Sequence, residues 1–129
     1  MKLAILAGAA ALTVLSTAAF AEDYVGGAIK TMEINGVEVL TGANGMTLYT
    51  FDKDEPGVSN CNAQCAANWP PAIADAGATP EGDFTLVDRA DGAQVWAYKG
   101  WPLYYWVKDS QPGDTTGDMV GGVWHTATE

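Results

Sequence analysis

The sequence predicts a mainly β fold, in which two repeated β-ribbon units pack with pseudo-twofold symmetry as a small sandwich or barrel, with one short helix near residues 60–68. The first observation is a duplication: GMTLYTFDKDEPG at 45–57 is matched by GWPLYYWVKDSQPG at 100–113, and most equivalent residues lie 55 positions apart. The second is that Asn35-Gly36 and Asp91-Gly92, which are strong hairpin turns, precede the two stretches. A small ribbon rarely buries its face alone, so the two units should share one core.

Residues 1–21 are predicted to be a secretory signal, because Lys2 precedes an apolar run and small residues stand before a cut expected at Glu22. The apolar run is too short for a comfortable membrane span. A lipid anchor would need a cysteine directly after the cut, where Glu22 stands, so none is expected. We therefore expect residues 22–129 to form a single domain that is periplasmic or secreted.

The part of the chain after the expected cut is strongly acidic. It holds five basic against sixteen acidic residues, a formal net charge of −11. Phosphate backbones would be repelled, so nucleic acid is not an expected partner. The charge suits solubility and cationic partners, and the expected partner is an envelope protein or a glycan.

Strands are predicted where β-branched and aromatic residues alternate between turn signals. In an extended strand Tyr49 and Phe51 share one face while Leu48 points to the other, so one of these faces should be core. The repeats span about 30–71 and 83–127, and the Gly/Pro-rich stretch 74–83 is a linker between them. The predicted strands are 29–34, 37–41, 46–51, 83–88, 93–98, 102–107 and 123–127.

The short helix is predicted in SNCNAQCAANWPP, where Ser59 or Asn60 caps its start and Pro70-Pro71 stops it. Cys61 and Cys65 would then lie one turn apart on one face. They are the only cysteines of the chain. An exported protein meets an oxidising environment, so we expect a disulfide that stabilises this local turn by roughly 2 kcal/mol or less.

Two sets of residues repeat a tyrosine, an aromatic residue and an aspartate at one spacing. One interpretation is that the rings pack in the core and each aspartate accepts backbone N–H bonds in the turn that follows. The other is that a carboxylate beside aromatic rings receives a cationic or sugar ligand. Repetition favours the first, since a turn that builds the fold must occur in both units. The residues are Tyr49, Phe51 and Asp54, and Tyr104, Trp106 and Asp109.

These residues carry a family resemblance. YTFDKD and YYWVKD fit the pattern Yx(FWY)xxD, and SNCNAQCAANWPP, RADGAQVWAYKGWPLYYW and PGDTTGDMVGGVWH accompany them in order. The chain resembles the exported bacterial proteins described by that motif, which are known as secreted repeats of unknown function and are commonly regarded as predicted lipoproteins. The resemblance implies an exported, duplicated protein without an established enzyme activity.

A metal or redox role is the alternative. Cys61, Cys65 and His125 offer soft and borderline ligands suited to copper, and Met46 and Met119 could add thioether sulfur. The expected disulfide would remove both thiolates. A c-type haem is disfavoured because no histidine adjoins the second cysteine.

Enzymatic catalysis is not expected, because the chain has one histidine, no serine in a nucleophile-elbow context and no free thiol once the disulfide forms. The acidic turn DKDEPG offers oxygen ligands but lacks the spacing of an EF-hand calcium loop. If Trp101 and Tyr105 line one exposed groove, they would form a stacking platform for a glycan or a protein. We expect a non-enzymatic binding or structural module of the cell envelope without a cofactor. The alternative is a periplasmic copper-binding or redox protein.

Overall fold

A computed structural model describes residues 22–129, and the predicted signal at 1–21 lies outside the described residues. Short 3-10 turns occur at Val25–Gly27 and Val120–Gly122. The remaining elements, in chain order, are β1 (Asp23–Tyr24), β2 (Ile29–Ile34), β3 (Val37–Gly42), β4 (Tyr49–Phe51), α1 (Gln64–Asn68), β5 (Phe84–Asp88), β6 (Gln94–Tyr98), β7 (Trp101–Pro102) and β8 (Trp124–Thr126).

The strands form three small antiparallel sheets, ordered β1-β2-β3, β4-β8 and β5-β6-β7. The two hairpin turns fall where the sequence predicts them. Ile34 pairs with Val37 across Asn35-Gly36, and Asp88 pairs with Gln94 across the turn that contains Asp91-Gly92. The mainly β prediction with two repeats and one short α-helix is confirmed, and the described sheets do not close into a barrel.

The last strand of repeat 2 completes the sheet of repeat 1. The N–H of Ala127 donates to the Leu48 carbonyl at 2.8 Å, and the Leu40 N–H donates to the Ala127 carbonyl at 2.8 Å. Strand β8 also pairs along its length with β4, for example Thr50 with His125. Repeat 1 therefore obtains its closing strand from the other half of the chain.

Repeat 2 is completed in the same way by an extended segment of repeat 1, residues 71–73, which pairs with Tyr104 and Val95 through isolated β-bridges. The N–H of Ala72 donates to the Leu103 carbonyl, and the Trp96 N–H donates to the Ala72 carbonyl, both at 2.9 Å. Ala72, Leu103 and Trp96 are the repeat equivalents of Ala127, Leu48 and Leu40. The two halves thus exchange their terminal segments, called here terminal strands, of which β8 is a regular strand and residues 71–73 form isolated bridges, so each half pairs with the end of the other.

Tyr49 and Tyr104 lie on the pseudo-twofold axis. Each is the backbone partner of the other: the Tyr49 N–H donates to the Tyr104 carbonyl at 2.7 Å, and the Tyr104 N–H donates to the Tyr49 carbonyl at 3.0 Å. Both side chains are fully buried. The motif strands of the two repeats therefore meet at the centre of the protein.

Both faces of the motif strands are buried, where the sequence pattern led us to expect one. Leu48 and Leu103 join a core of aliphatic and aromatic residues from the two hairpins, which includes Ile29, Leu40, Phe84, Val87, Val95 and Trp96. The opposite face joins a second, mainly aromatic core formed by Tyr49, Phe51, Cys61, Trp69, Tyr104 and Trp124. The exchanged strands cover the second face, because their tryptophans pack onto it.

Two local predictions are wrong. The strand predicted at 102–107 is reduced to β7, because Tyr105 N–H and Val107 N–H donate to the carbonyls of Pro70 and Asn68 in the helix-to-strand connection of the other repeat. The strand predicted at 46–51 likewise keeps only β4.

The helix begins at Gln64, later than predicted, and the residue before it, the N-cap Ala63, has a positive φ of 54° and makes no side-chain cap. Neither Ser59 nor Asn60 caps it. The Asn60 N–H donates to the Asp54 carboxylate and the Cys61 carbonyl accepts from Arg89, so this segment is held by other partners and cannot enter the helix. Cys61 therefore lies before the helix.

Candidate functional site

The motif tyrosine of each repeat is hydrogen-bonded to the motif aspartate of the other repeat. The Tyr49 hydroxyl donates to Oδ2 of Asp109 at 2.7 Å, and the Tyr104 hydroxyl donates to Oδ2 of Asp54 at 2.7 Å. Both bonds are buried. The motif is therefore paired across the pseudo-twofold axis, and a single copy of it does not form its own tyrosine–aspartate pair.

The second oxygen of each aspartate holds the loop that follows its own motif. Oδ1 of Asp54 accepts the Asn60 backbone N–H at 2.6 Å. Oδ1 of Asp109 accepts both the backbone N–H and the hydroxyl of Thr116, at 3.0 and 2.6 Å. Each carboxylate thus connects a local loop to a tyrosine of the opposite repeat.

Glycines at the start of each motif continue this reciprocal pattern. Gly45 and Gly100 have φ of 80° and 91°, in the left-handed region that favours glycine. A Cβ at Gly45 would lie 3.2 Å from Pro112, and a Cβ at Gly100 would lie 3.1 Å from Pro56. The acidic turn of each repeat therefore packs against the glycine of the other.

Arg89 is a residue of this network that sequence reasoning missed. It is the only arginine of the chain, and it is buried beside the motif network. Its Nη1 donates to the Ser59 hydroxyl and the Cys61 carbonyl, both at 3.0 Å. The Ser59 hydroxyl lies 2.6 Å from the Tyr104 hydroxyl, which donates to Asp54. The available signal was that Arg89 stands next to a turn in a chain with few basic residues. Spacing alone could not indicate which loop its side chain would contact.

The hydroxyl of Tyr49 is contacted by a backbone N–H, whereas the hydroxyl of Tyr104 is contacted by a side chain. The Gly117 N–H donates to the Tyr49 hydroxyl at 3.1 Å, where the Ser59 hydroxyl meets Tyr104 in the equivalent position. A Cβ at Gly117 would lie 2.9 Å from Trp69 and from Tyr49, so the close approach requires glycine. The symmetry of the network is therefore kept while its donors differ.

Burial dominates the electrostatics of this network. Loss of water contact raises the pKa of the Asp54 carboxyl above its ordinary value of 3.8, although the Asn60 N–H, the Tyr104 hydroxyl and the Arg89 charge act in the opposite direction. Burial also raises the pKa of the Tyr49 and Tyr104 hydroxyls well beyond their usual range. Both tyrosines are therefore neutral donors at physiological pH.

The other aromatic residues of the motifs lie at the two ends of one stacked column. Phe51 stacks on Trp124 with ring centroids 4.2 Å apart, Trp124 on Trp69 at 3.8 Å, and Trp69 on Trp106 at 4.0 Å. Tyr49 and Tyr104 meet this column edge-on, against Trp69 and Trp124. Each motif ring thus stacks on the tryptophan of the opposite repeat. Trp106 is half-buried and has Lys108 near its face.

The cysteines form the predicted disulfide, with an S–S distance of 1.99 Å between Cys61 and Cys65. His125 lies on β8, where its Nε2 is 2.8 Å from Oδ2 of Asp52. Within residues 22–129, no group of three or more histidine, cysteine, aspartate or glutamate side chains is placed to hold a metal ion. Both cysteine sulfurs of the copper ligand set are thus bonded to each other.

Trp101 and Tyr105 do not share a groove. Trp101 lines a cleft of about 410 Å³ together with Asp52 and Lys99. Tyr105 lines a separate cleft of about 490 Å³, between the first hairpin and the linker that joins the repeats. The aromatic platform considered from the sequence is therefore divided between two places. Met46 borders the second cleft through a smaller adjoining pocket, and Met119 is exposed.

Comparison with curated proteins and with solved structures found no match. Within residues 22–129, no helix has the length and apolar character needed to cross a membrane. A protein-family comparison matches twice, at residues 30–73 and 85–128, so one match falls on each repeat. The family is one of secreted proteins, and the chain is exported, to the periplasm or the medium. The protein belongs to the family described as secreted repeat of unknown function.

Proposed function

We propose that this protein is a non-enzymatic exported module of the cell envelope, in which the repeated motif builds the scaffold and binding takes place elsewhere on the surface. The observation that supports this most is the reciprocal pairing of Tyr49 with Asp109 and of Tyr104 with Asp54. A motif that was kept in order to bind a ligand would leave its carboxylates open to that ligand.

The motif carboxylates have little capacity left for a ligand. Asp54 is 3 % exposed and Asp109 is 9 % exposed. Each uses one oxygen for a tyrosine and the other for a loop N–H. Buried polar groups with complete hydrogen bonding fix a unique packing, and this role needs the residues in both repeats.

Substitution of Asp109 by Asn separates the scaffold role from a binding role. On the scaffold assignment the variant melts at a lower temperature, because the amide cannot accept at both positions as the carboxylate does. It should still cosediment with an isolated cell-envelope fraction at a temperature where it is folded. A variant that keeps its melting temperature but no longer cosediments would make the motif a ligand site and overturn the proposal.

The competing function is copper binding or redox chemistry by Cys61, Cys65 and His125. Thiol titration of the untreated protein separates the two functions: the module predicts no reactive thiol, and two reactive thiols would favour copper. After reduction, Cu(I) titration of the wild type and of His125→Ala provides a second readout. Tight binding that is lost in His125→Ala would overturn the proposed function.

A further inference from the structure

The duplication has produced two clefts at equivalent places. The first, called here the polar cleft, is lined by Thr50, Asp52, Lys99, Trp101, Thr128 and Glu129. The second, called here the linker cleft, is lined by Ala43, Asn44, Leu48, Ile73, Trp96 and Tyr105 and by the linker from Asp75 to Thr79. Thr50, Lys99 and Thr128 are the repeat equivalents of Tyr105, Asn44 and Ile73, each 55 positions apart. The clefts are therefore two copies of one feature of the fold.

The scaffold residues of the two repeats agree, whereas the cleft residues do not. Tyrosine, aspartate, glycine and leucine recur at the motif positions. The polar cleft has Asp52 and Trp101 where the other repeat has Val107 and Met46. Of the residues within 22–129 that line the linker cleft, Asp75 alone is charged, and it belongs to the linker. Charged side chains from both repeats thus line one copy of a cleft that the fold forms twice, and the repeats contribute none to the other copy.

The polar cleft combines hydrogen-bond donors, hydrogen-bond acceptors and an aromatic surface. Asp52 and Glu129 supply carboxylate acceptors, and Lys99 supplies an ammonium donor. The hydroxyls of Thr50 and Thr128 act in either sense. Trp101 is half-buried and presents part of its indole to the cleft. Asp52 is oriented by its contact with Nε2 of His125, which holds one of its oxygens.

This combination selects among ligand classes. An anion would meet two carboxylates and a strongly acidic protein, whose charge repels it. A bare cation would meet the ammonium of Lys99 inside the cleft. A neutral polyol avoids both penalties, because each of its hydroxyls can donate to a carboxylate and accept from Lys99 or a threonine. A pyranose ring adds an apolar face that fits against an indole.

We propose that the polar cleft binds neutral saccharides, with a pyranose ring against Trp101 and its hydroxyls hydrogen-bonded to Asp52 and Lys99. This rests on the proposed function, since it supplies the ligand class of a non-enzymatic envelope module. The cleft volume of about 410 Å³ accommodates a short oligosaccharide segment. The linker cleft has no part in this binding.

The test titrates neutral tetrasaccharides of N-acetylglucosamine, glucose in β-1,4 linkage and glucose in α-1,4 linkage into the folded protein, with calorimetry and NMR shift mapping as readouts. At least one of them should bind saturably at millimolar concentration and shift signals of the Trp101 indole. Trp101→Met, which installs the residue of the equivalent position, should weaken binding roughly tenfold. Asp52→Asn, at an exposed carboxylate, should weaken it with little change in melting temperature.

The matched control is Met46→Ala, at the repeat equivalent of Trp101 in the small pocket beside the linker cleft, which should leave the affinity unchanged. The inference is wrong if none of the tetrasaccharides binds, or if Trp101→Met and Asp52→Asn both bind as the wild type does. Cosedimentation with the envelope fraction distinguishes this failure from failure of the proposed function. If the wild type cosediments and Trp101→Met cosediments equally, the proposed envelope module stands and its binding surface lies outside the polar cleft.

Discussion

The Tyr49 hydroxyl donates to Asp109, 60 residues further along the chain, and not to Asp54 in its own motif. The reverse bond, from Tyr104 to Asp54, repeats this relationship in the other direction. Together with the exchanged terminal strands, the two bonds make each repeat depend on the other for its buried polar partners. The spacing from tyrosine to aspartate in the motif is therefore explained by two motifs that meet across an axis.

Removal of either tyrosine hydroxyl should destabilise the protein by a similar amount. Tyr49→Phe and Tyr104→Phe each leave a buried carboxylate without one donor, which costs about 1–3 kcal/mol. Chemical denaturation of both variants measures this cost. Tyr24→Phe is the control, because the Tyr24 hydroxyl contacts Glu22 and Glu129 at the surface and its loss should cost less. A motif variant as stable as Tyr24→Phe would contradict the scaffold role.

The two repeats should unfold in one cooperative transition. Leu48→Ala and Leu103→Ala create equivalent cavities in a shared core, and each should cost about 2–5 kcal/mol. Because the terminal strands are exchanged, either substitution should lower the same single melting transition. Far-UV and near-UV circular dichroism should report coincident midpoints for both variants. Two separate transitions, of which each variant moves only one, would show that the repeats fold independently.

Gly100→Ala should cost more than Gly92→Ala, although the two glycines have nearly the same φ, 91° and 89°. Both substitutions place an L-residue in the left-handed region, at a cost of about 1–2 kcal/mol. Only at Gly100 does the new Cβ also meet Pro56, at 3.1 Å, while at Gly92 it meets open space. Urea denaturation of the two variants gives the difference. Equal losses of stability in the two variants would mean that Pro56 moves aside at no cost in free energy and that this contact between the repeats is loosely packed.

The burial of Asp54 should make it a pH-dependent destabilising group. Its pKa is raised above 3.8 in the folded protein, so the folded state holds this proton over a pH range in which the unfolded state has lost it. The contribution of the protonated Asp54 carboxyl to the free energy of unfolding is therefore fully present below pH 3.8. It is lost as the pH rises through the raised pKa of Asp54, because ionisation in the buried site is unfavourable.

Comparison with Asp54→Asn isolates this group. The free energy of unfolding of the wild type minus that of the variant should fall as the pH rises from about 4 towards neutrality, because the variant lacks the ionisation. Denaturation curves at a series of pH values measure the difference. A difference that rises with pH would mean that the bonds from Asn60, Tyr104 and Arg89 outweigh burial.

The repeats, the hairpin turns and the disulfide were predictable because the sequence shows them directly, as self-similarity, as turn residues and as a single pair of cysteines. Asn35-Gly36 determines its turn locally, and Cys61 and Cys65 are the only two cysteines of the chain, so each has a single possible partner within it. The exchange of terminal strands was not predictable in this way. Two similar repeats offer equivalent partners for each strand, and periodicity cannot distinguish a strand that folds back from one that crosses over.

The candidate site was predictable in its residue types but not in its partners. The aspartates accept N–H bonds in the loops that follow them, yet their tyrosine donors come from the other repeat. Both faces of the motif strands are buried for the same reason, because the two repeats cross over each other. Trp69 and Trp124 each stack on a motif ring of the opposite repeat. Arg89 was missed because the partners that join it to the motif network, Ser59 and Cys61, lie about thirty residues away in a loop without regular structure.

A double-mutant cycle tests the reciprocal scaffold most directly. Tyr49→Phe, Asp109→Asn and their combination should show a coupling free energy of about 1 kcal/mol or more, because the two side chains share a hydrogen bond. Tyr49→Phe combined with Asp54→Asn, within one motif, should be additive to within about 0.5 kcal/mol. Coupling within the motif together with additivity across the repeats would contradict the account.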